Sequence, residues 1–285
     1  MYAKFENIKN NTVEFSLTPP YILRRLTAET NVNLYDSKGL GQDGSTYLGN
    51  TLDNKEIVIE GSLHTLDRSE HNLELLREKI ITIFNPKLGW GNLYFRGRKI
   101  KCIIKQLPVF NDDNLEFMIP LVCHEPYWTS EDMKIKEVAQ WSGNFHFPLI
   151  IPQDEGIMMG YREPSLIVHI ENEGQVSTGM IIEFTANGVV KNPSLFNVNT
   201  RNSIKINKTM ERDEKIIVNT NFGSKSVKSI LGNVTKDCLN YIDILGGGDT
   251  FLQLDVGDNL FRYDAEENLD NLEVKIKYYN RYLGV

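Results

Sequence analysis

The spacing of apolar residues divides this chain into strands, one helix and a polar interval. Ile57, Val58, Ile59 and Leu63 form a β-rich segment that leads into Asp67-Arg68-Ser69-Glu70. That tetrad has the spacing of a capping box, with the Asp67 carboxylate set to accept from the Glu70 backbone N–H while Glu70 reaches back. Leu73, Leu76, Ile80 and Phe84 then recur at steps of three and four, predicting a helix over about 69–84. Asn85-Pro86 ends it, because proline disfavours a helical residue before it and has no N–H to donate. Beyond the helix the period falls to two. Ile100, Cys102 and Ile104 alternate with lysines and other neighbours, and Phe117, Ile119, Leu121 and Cys123 do the same, as half-buried strands require.

Two aromatic-proline clusters bracket the polar interval. Glu125-Pro126-Tyr127-Trp128 closes the first half, and the run from Trp141 through Phe145, His146, Phe147 and Pro148 opens the second. The segment between lacks strand alternation, so the chain is read as a domain over 1–132, a connector over 133–140 and a domain over 141–285. In the second half Met180, Ile182 and Phe184 alternate, and Ala186-Asn187-Gly188 offers a tight turn in which Asn-Gly takes positive φ. Ile204 and Ile206, Ile216 and Val218, and Val274, Ile276 and Tyr278 continue the period, separated by Asn192-Pro193, Gly246-Gly247-Gly248 and Gly257-Asp258-Asn259. The expected architecture is mainly β with one helix: an N-terminal β-fold carrying the helix and a C-terminal antiparallel β-sandwich.

Length and charge narrow the function. A chain of 285 residues can bury two cores. Its net charge of −7 argues against a dedicated nucleic-acid binder. No apolar run is long enough to predict a membrane span, and Met1-Tyr2-Ala3-Lys4-Phe5-Glu6 lacks the order of a secretory signal. The three cysteines, Cys102, Cys123 and Cys238, are an odd number without metal-ligand spacing. They predict neither a disulfide framework nor a zinc site, and fit folding in a reducing cytoplasm.

The candidate chemistry is sparse. Gly39-Leu40-Gly41-Gln42-Asp43-Gly44-Ser45 is glycine-rich, but no Lys-Ser/Thr follows and no helix opens there, so it is expected to be a flexible loop. His64 and His71 have no partner cysteine or His-x-x-x-His spacing. His124, His146 and His169 fit edge or interface positions. Asp112, Asp113 and Glu116 fit a hairpin turn, and Asp264-Ala265-Glu266-Glu267 a solvated loop. No pair of carboxylates is marked out for glycoside cleavage, and no Gly-x-Ser-x-Gly elbow occurs. Trp128, Trp141, Tyr161 and Phe147 have the rings to stack on sugars, but clusters at a junction more often seal it by burying large areas. No catalytic, cofactor-binding or metal-binding residue is therefore assigned.

The order of many weak motifs resembles the distal tail proteins of long-tailed bacteriophages. The first half carries the strand at Ile57–Leu63, the helix, Phe84-Asn85-Pro86-Lys87, the strand from Lys99, and Phe117 through Trp128. The second half carries Phe147-Pro148-Leu149, Asn172-Glu173-Gly174-Gln175-Val176-Ser177-Thr178-Gly179, Asn192 through Asn197, Ile204-Lys205-Ile206-Asn207, and Val274 through Tyr282. Arg212-Asp213-Glu214 departs from a Gly-Asp turn common in that family, which puts the local hairpin in doubt. The resemblance implies a non-enzymatic hub in the virion tail, assembled in the bacterial host cytoplasm. Its N-terminal half would form a ring, usually a hexamer, through which DNA passes without specific binding. The C-terminal half would be a galectin-like or carbohydrate-module-like sandwich. The implied partners are other copies of the chain, the tail tube protein and tail-tip or receptor-binding proteins. A glycan-binding module and a tail-associated glycan hydrolase are the rival readings.

Overall fold

The computed structural model describes residues 2–65, 69–111, 115–138, 141–143, 160–162 and 167–285. The chain forms two compact units, one comprising Met1–Glu131 with Tyr282–Val285 and the other Asp132–Arg281.

The first unit contains β1 (Ala3–Asn7), β2 (Thr12–Phe15), β3 (Tyr21–Ser37), β4 (Thr46–Leu63), α1 (Glu70–Ile83), β5 (Trp90–Phe95), β6 (Arg98–Ile104), β7 (Val109–Asn111), β8 (Glu116–Cys123) and β9 (Trp128–Ser130). The sheet runs β2-β1-β5-β6-β8-β4-β3, with β7 added on β8 and β9 on β6. Successive neighbours along that path are antiparallel. The alternation seen in sequence is the burial alternation. Ile57 and Ile59 on β4, Ile100 and Cys102 on β6, and Ile119, Leu121 and Cys123 on β8 all point into one core. Helix α1 adds Ile80 and Ile83 to it, followed by Phe84, while Leu73 and Leu76 pack at its margin. Phe84 stacks on Phe5 at 4.2 Å between ring centroids, tying the helix end to β1.

The helix begins differently from the capping-box expectation. Ser69 is its N-cap and Glu70 its first residue, so Glu70 does not occupy the third position that a capping box requires. Asp67 and Arg68 lie outside the described residues. The helix ends as predicted. Asn85 then nucleates a 3-10 turn over Pro86–Leu88, its side-chain oxygen accepting from the Lys87 N–H at 2.9 Å.

In the second unit two antiparallel sheets enclose a separate core. One passes through the strands Lys134–Glu137, Leu272–Tyr278, Thr178–Ala186, Lys215–Asn219, Ser226–Leu231 and Val234–Asp237. The other passes through Ile167–Asn172, Gly257–Asp264, Ser194–Asn197 and Ser203–Lys205. The period-2 runs meet in register: Phe184 lies opposite both Val274 and Ile216, and Ile182 opposite Ile276 and Val218. Leu195, Phe261 and Tyr263 of the second sheet are buried in the same core. Part of the expected connector belongs to this sandwich, since Lys134–Glu137 pairs along Leu272–Tyr278. Its alternation is hidden because it is a mostly exposed edge strand.

The Ala186-Asn187-Gly188 turn differs from expectation. Gly188 does not take positive φ. A Cβ there would sit 2.7 Å from the Asn271 side-chain amide, which would have to shift. At Arg212-Asp213-Glu214 the positive φ falls on Asp213, at 64°, a conformation Asp tolerates better than most side chains.

Candidate interaction surface

The two long strands β3 and β4 form the most distinctive surface. Near their base they belong to the core, with Leu23, Ile57 and Ile59 buried and Leu26 and Ala28 packed beside them. From Glu29 outward and back to Asn54 no side chain is buried. The strands nonetheless stay paired, from Thr30↔Lys55 to Ser37↔Thr46. The eight residues Thr30–Ser37 carry this arm on the order of 25 Å, at about 3.3 Å per residue. Register shifts after Leu23, Thr30 and Tyr35 add local twist.

The glycine-rich stretch is the tip of this arm rather than a loop preceding a short strand. Gly41 and Gly44 take φ of 77° and 79°, which their lack of a Cβ permits. Gln42 Oε1 accepts from the Gly39 N–H at 3.0 Å and closes the turn. The sequence pattern marks the strand only from Ile57. The missing half, Thr46 to Glu56, is wetted on both faces over most of its length and therefore shows no burial period.

The arm is not uniformly polar. Val32, Leu34, Tyr35, Leu40, Tyr47 and Leu48 are all at least half exposed, Leu34 at 67% and Leu40 fully. Val32 faces Leu52 across the hairpin. Apolar side chains exposed together away from the core form the kind of surface that partners cover. Among the described residues β3 is also the terminal strand of its sheet, and beyond Leu23, which bonds to Ser16, no strand pairs with its outer side. Residues 29–54 carry Glu29, Asp36, Asp43 and Asp53 against Lys38, a net −3.

The other residues singled out by sequence are dispersed. His64, His71, His124 and His169 are exposed. His124 meets the Trp90 ring edge-on at 5.8 Å, and His169 faces Asp258 at 3.1 Å. His146, Asp112, Asp113 and Phe147 lie outside the described residues. Trp141 and Tyr161 sit on two short paired strands, Trp141–Gly143 and Gly160–Arg162. Trp128 is buried in the first core beside Phe95, so its face is not offered to a sugar. Glu266 and Glu267 are held by Lys205 and Lys191, at 2.7 and 2.5 Å. Among the described residues no three His, Cys, Asp or Glu side chains gather to hold a metal ion.

Two buried carboxylates gave no signal in the sequence. Glu214 accepts from the Lys208 ammonium, the Ser229 hydroxyl and, at 3.0 Å, the Glu211 N–H. Burial alone would raise its pKa, but these donors outweigh burial and hold it below the usual carboxylate value. Glu183 bridges Lys215 at 3.2 Å and Lys277 at 2.6 Å across three strands, with the same balance of burial against donors. Each is fully paired within the sandwich, the arrangement of a structural clamp.

The asparagines of the recognised motifs have a structural task. Asn172 donates to Leu254 O at 3.0 Å and Val176 O at 3.1 Å while accepting from the Gly174 N–H at 2.9 Å. Asn197 accepts from the Asn199 and Thr200 N–H groups at 2.9 and 3.1 Å. Asn side chains that satisfy backbone in this way pin turns.

Family models identify the class of this two-unit β protein: the phage tail protein RIFT-related domain matches residues 8–150, and the C-terminal domain of the siphovirus-type tail component matches residues 173–282. The chain belongs to the phage distal tail protein family. Among solved structures it is similar to Dit of phage SPP1, with a TM-score of 0.67, 10% identity and 99% of each chain covered. That protein is described as a paradigm of the hub adsorption apparatus in phages infecting Gram-positive bacteria. A chain of the phage P2 baseplate in its activated conformation aligns with a TM-score of 0.48 and 10% identity, covering 100% of this chain and 99% of that one. No curated protein matches the chain in sequence.

Proposed function

We propose that the chain is a structural hub of a phage or prophage tail tip, which assembles as a homo-oligomeric ring and carries out no catalytic step. Membership of the tail-component family supports the tail assignment, and the exposed β3–β4 arm carries the ring assignment. The arm offers a neighbouring copy an unpaired strand edge and apolar side chains together. Contacts of that head-to-tail kind close into a ring when the rotation between copies divides a full turn. A hexamer is the stoichiometry proposed. The tail tube protein on one side and tip or receptor-binding proteins on the other are the proposed neighbours. An arm with a net charge of −3 is unsuited to holding DNA, which suits a conduit that a duplex must leave freely. The proposed location is the virion tail, after assembly in the host cytoplasm.

Light scattering and negative-stain imaging of the full chain test this reading. The wild type should give a discrete ring. A variant carrying Val32→Lys and Leu34→Lys should stay monomeric while keeping the wild-type circular dichroism spectrum, because neither side chain contributes to the core. An oligomer unaffected by those changes would remove the arm from the contact.

A further inference from the structure

Three buried side chains form a transverse row across the first sheet, and none has a part in the assembly reading. β4 sets Lys55 opposite Cys123 on β8. β8 pairs with β6 through Ile103↔Val122 and Ile104↔Leu121. One further step along that register sets Cys102 opposite Cys123, within the spans of both strands. Both cysteines are fully buried, on the same face, and the Cys102 thiol interacts with that of Cys123.

We propose that Cys102 and Cys123 are a built disulfide site, joined in the folded protein by a small peroxide-class oxidant. Directly opposed residues on antiparallel strands hold their Cβ atoms about 4.5–5.5 Å apart. A disulfide needs about 3.5–4.5 Å, so the strands must close by roughly 1 Å and no chain need be rerouted. Cys238, buried in the other unit, has no such opposite number among the described cysteines.

The neighbours divide the labour between the two sulfurs. Lys55 lies beside Cys123, and its buried Nζ donates to Leu283 O at 2.9 Å. The first attack is given to Cys123, the sulfur that β4 sets opposite Lys55. The neighbouring Cys123 and burial push the pKa of the Cys102 thiol up. In the first step the Cys123 sulfur bonds to one oxygen of hydrogen peroxide and the O–O bond breaks. One water leaves with the Cys123 proton, and Cys123 becomes a sulfenic acid. In the second step the Cys102 sulfur attacks that sulfur, the S–S bond forms and the S–O bond breaks. A second water leaves with the Cys102 proton. Two thiols are oxidised and one peroxide is reduced to two waters. Peroxide is small enough to enter a packed core during brief openings, whereas a bulky disulfide reagent is not.

The test is peroxide titration of the full native chain, followed by unfolding in excess maleimide, digestion and mass spectrometry. The expected product is a peptide pair linked through Cys102 and Cys123, with Cys238 still alkylated. Dithiothreitol should separate the pair, and the first-unit unfolding midpoint should be higher in the oxidised than in the reduced sample. Lys55→Met should slow cross-linking several-fold while leaving the identity of the product unchanged. Cys102→Ala should leave a sulfenic or higher acid on Cys123. Full alkylation of both cysteines at every peroxide dose, or links made only through Cys238, would overturn the proposal. This outcome is independent of ring formation, so failure of one reading leaves the other standing.

Discussion

The ammonium of Lys55 donates to the carbonyl oxygen of Leu283, at 2.9 Å, across 228 positions of sequence. Arg98 adds a bond to Gly284 O and lies over the Tyr282 ring at 3.7 Å. The last four residues, Tyr282–Val285, are therefore part of the first unit, although the sequence pattern assigns them to the second domain. A stop after Arg281 should destabilise the first unit by about 1–3 kcal/mol through the orphaned ammonium alone. Urea unfolding followed by Trp fluorescence would show it. Lys55→Met in the truncated chain should recover part of the loss by removing the buried charge. No recovery would mean that the tail acts through packing instead.

Trp128 is fully buried in the first core. Trp128→Ala should cost roughly 3–5 kcal/mol, the range for deleting a large aromatic from a packed interior. A chemical denaturation curve with an unchanged midpoint would contradict the burial.

Gly61 lies where β4 passes between β3 and β8. A Cβ there would come within 2.4 Å of the Ile22 carbonyl oxygen and of the Phe117 ring. The carbonyl belongs to a paired strand, since Ile22 faces Ser62, and it has nowhere to retreat. Gly61→Ala should destabilise the protein by about 1–3 kcal/mol or more, as overpacking does. Thermal unfolding of this variant beside Gly97→Ala, whose Cβ meets open space but whose φ of 71° is strained, would separate crowding from backbone strain.

Glu214 has a pKa held below its ordinary value in the folded state. The sign follows from linkage: its stabilising contribution is present above the unfolded pKa and is lost as pH falls through the folded one. Glu214→Gln should therefore cost stability at pH 7 and flatten the acid limb of the stability profile below about pH 4.5. Unfolding midpoints measured from pH 7 down to pH 3 would show the two curves converging. Parallel curves would place the acid sensitivity elsewhere, with Glu183 the next group to examine.

The sequence alone determined the parts of the fold in which burial repeats at a local period. The helix stripe ending at Phe84, the Asn85-Pro86 stop, and the alternations at Ile100–Ile104, Phe117–Cys123, Met180–Phe184 and Val274–Tyr278 record which faces meet a core. Their order along the chain carried the family resemblance as well. A period says that a face is buried but not what lies across from it. The row of Lys55, Cys123 and Cys102 depends on pairing among β4, β8 and β6, and the Glu183 clamp on pairing among three strands. Tyr282–Val285 likewise join the first unit through contacts more than a hundred residues away. The arm was missed for a different reason. Its outer half is held by backbone bonds between two strands that bury almost nothing, so no hydrophobic rhythm marks it. Tertiary structure decided these features because hydrogen-bond register and long-range packing join residues whose local sequences carry no sign of one another.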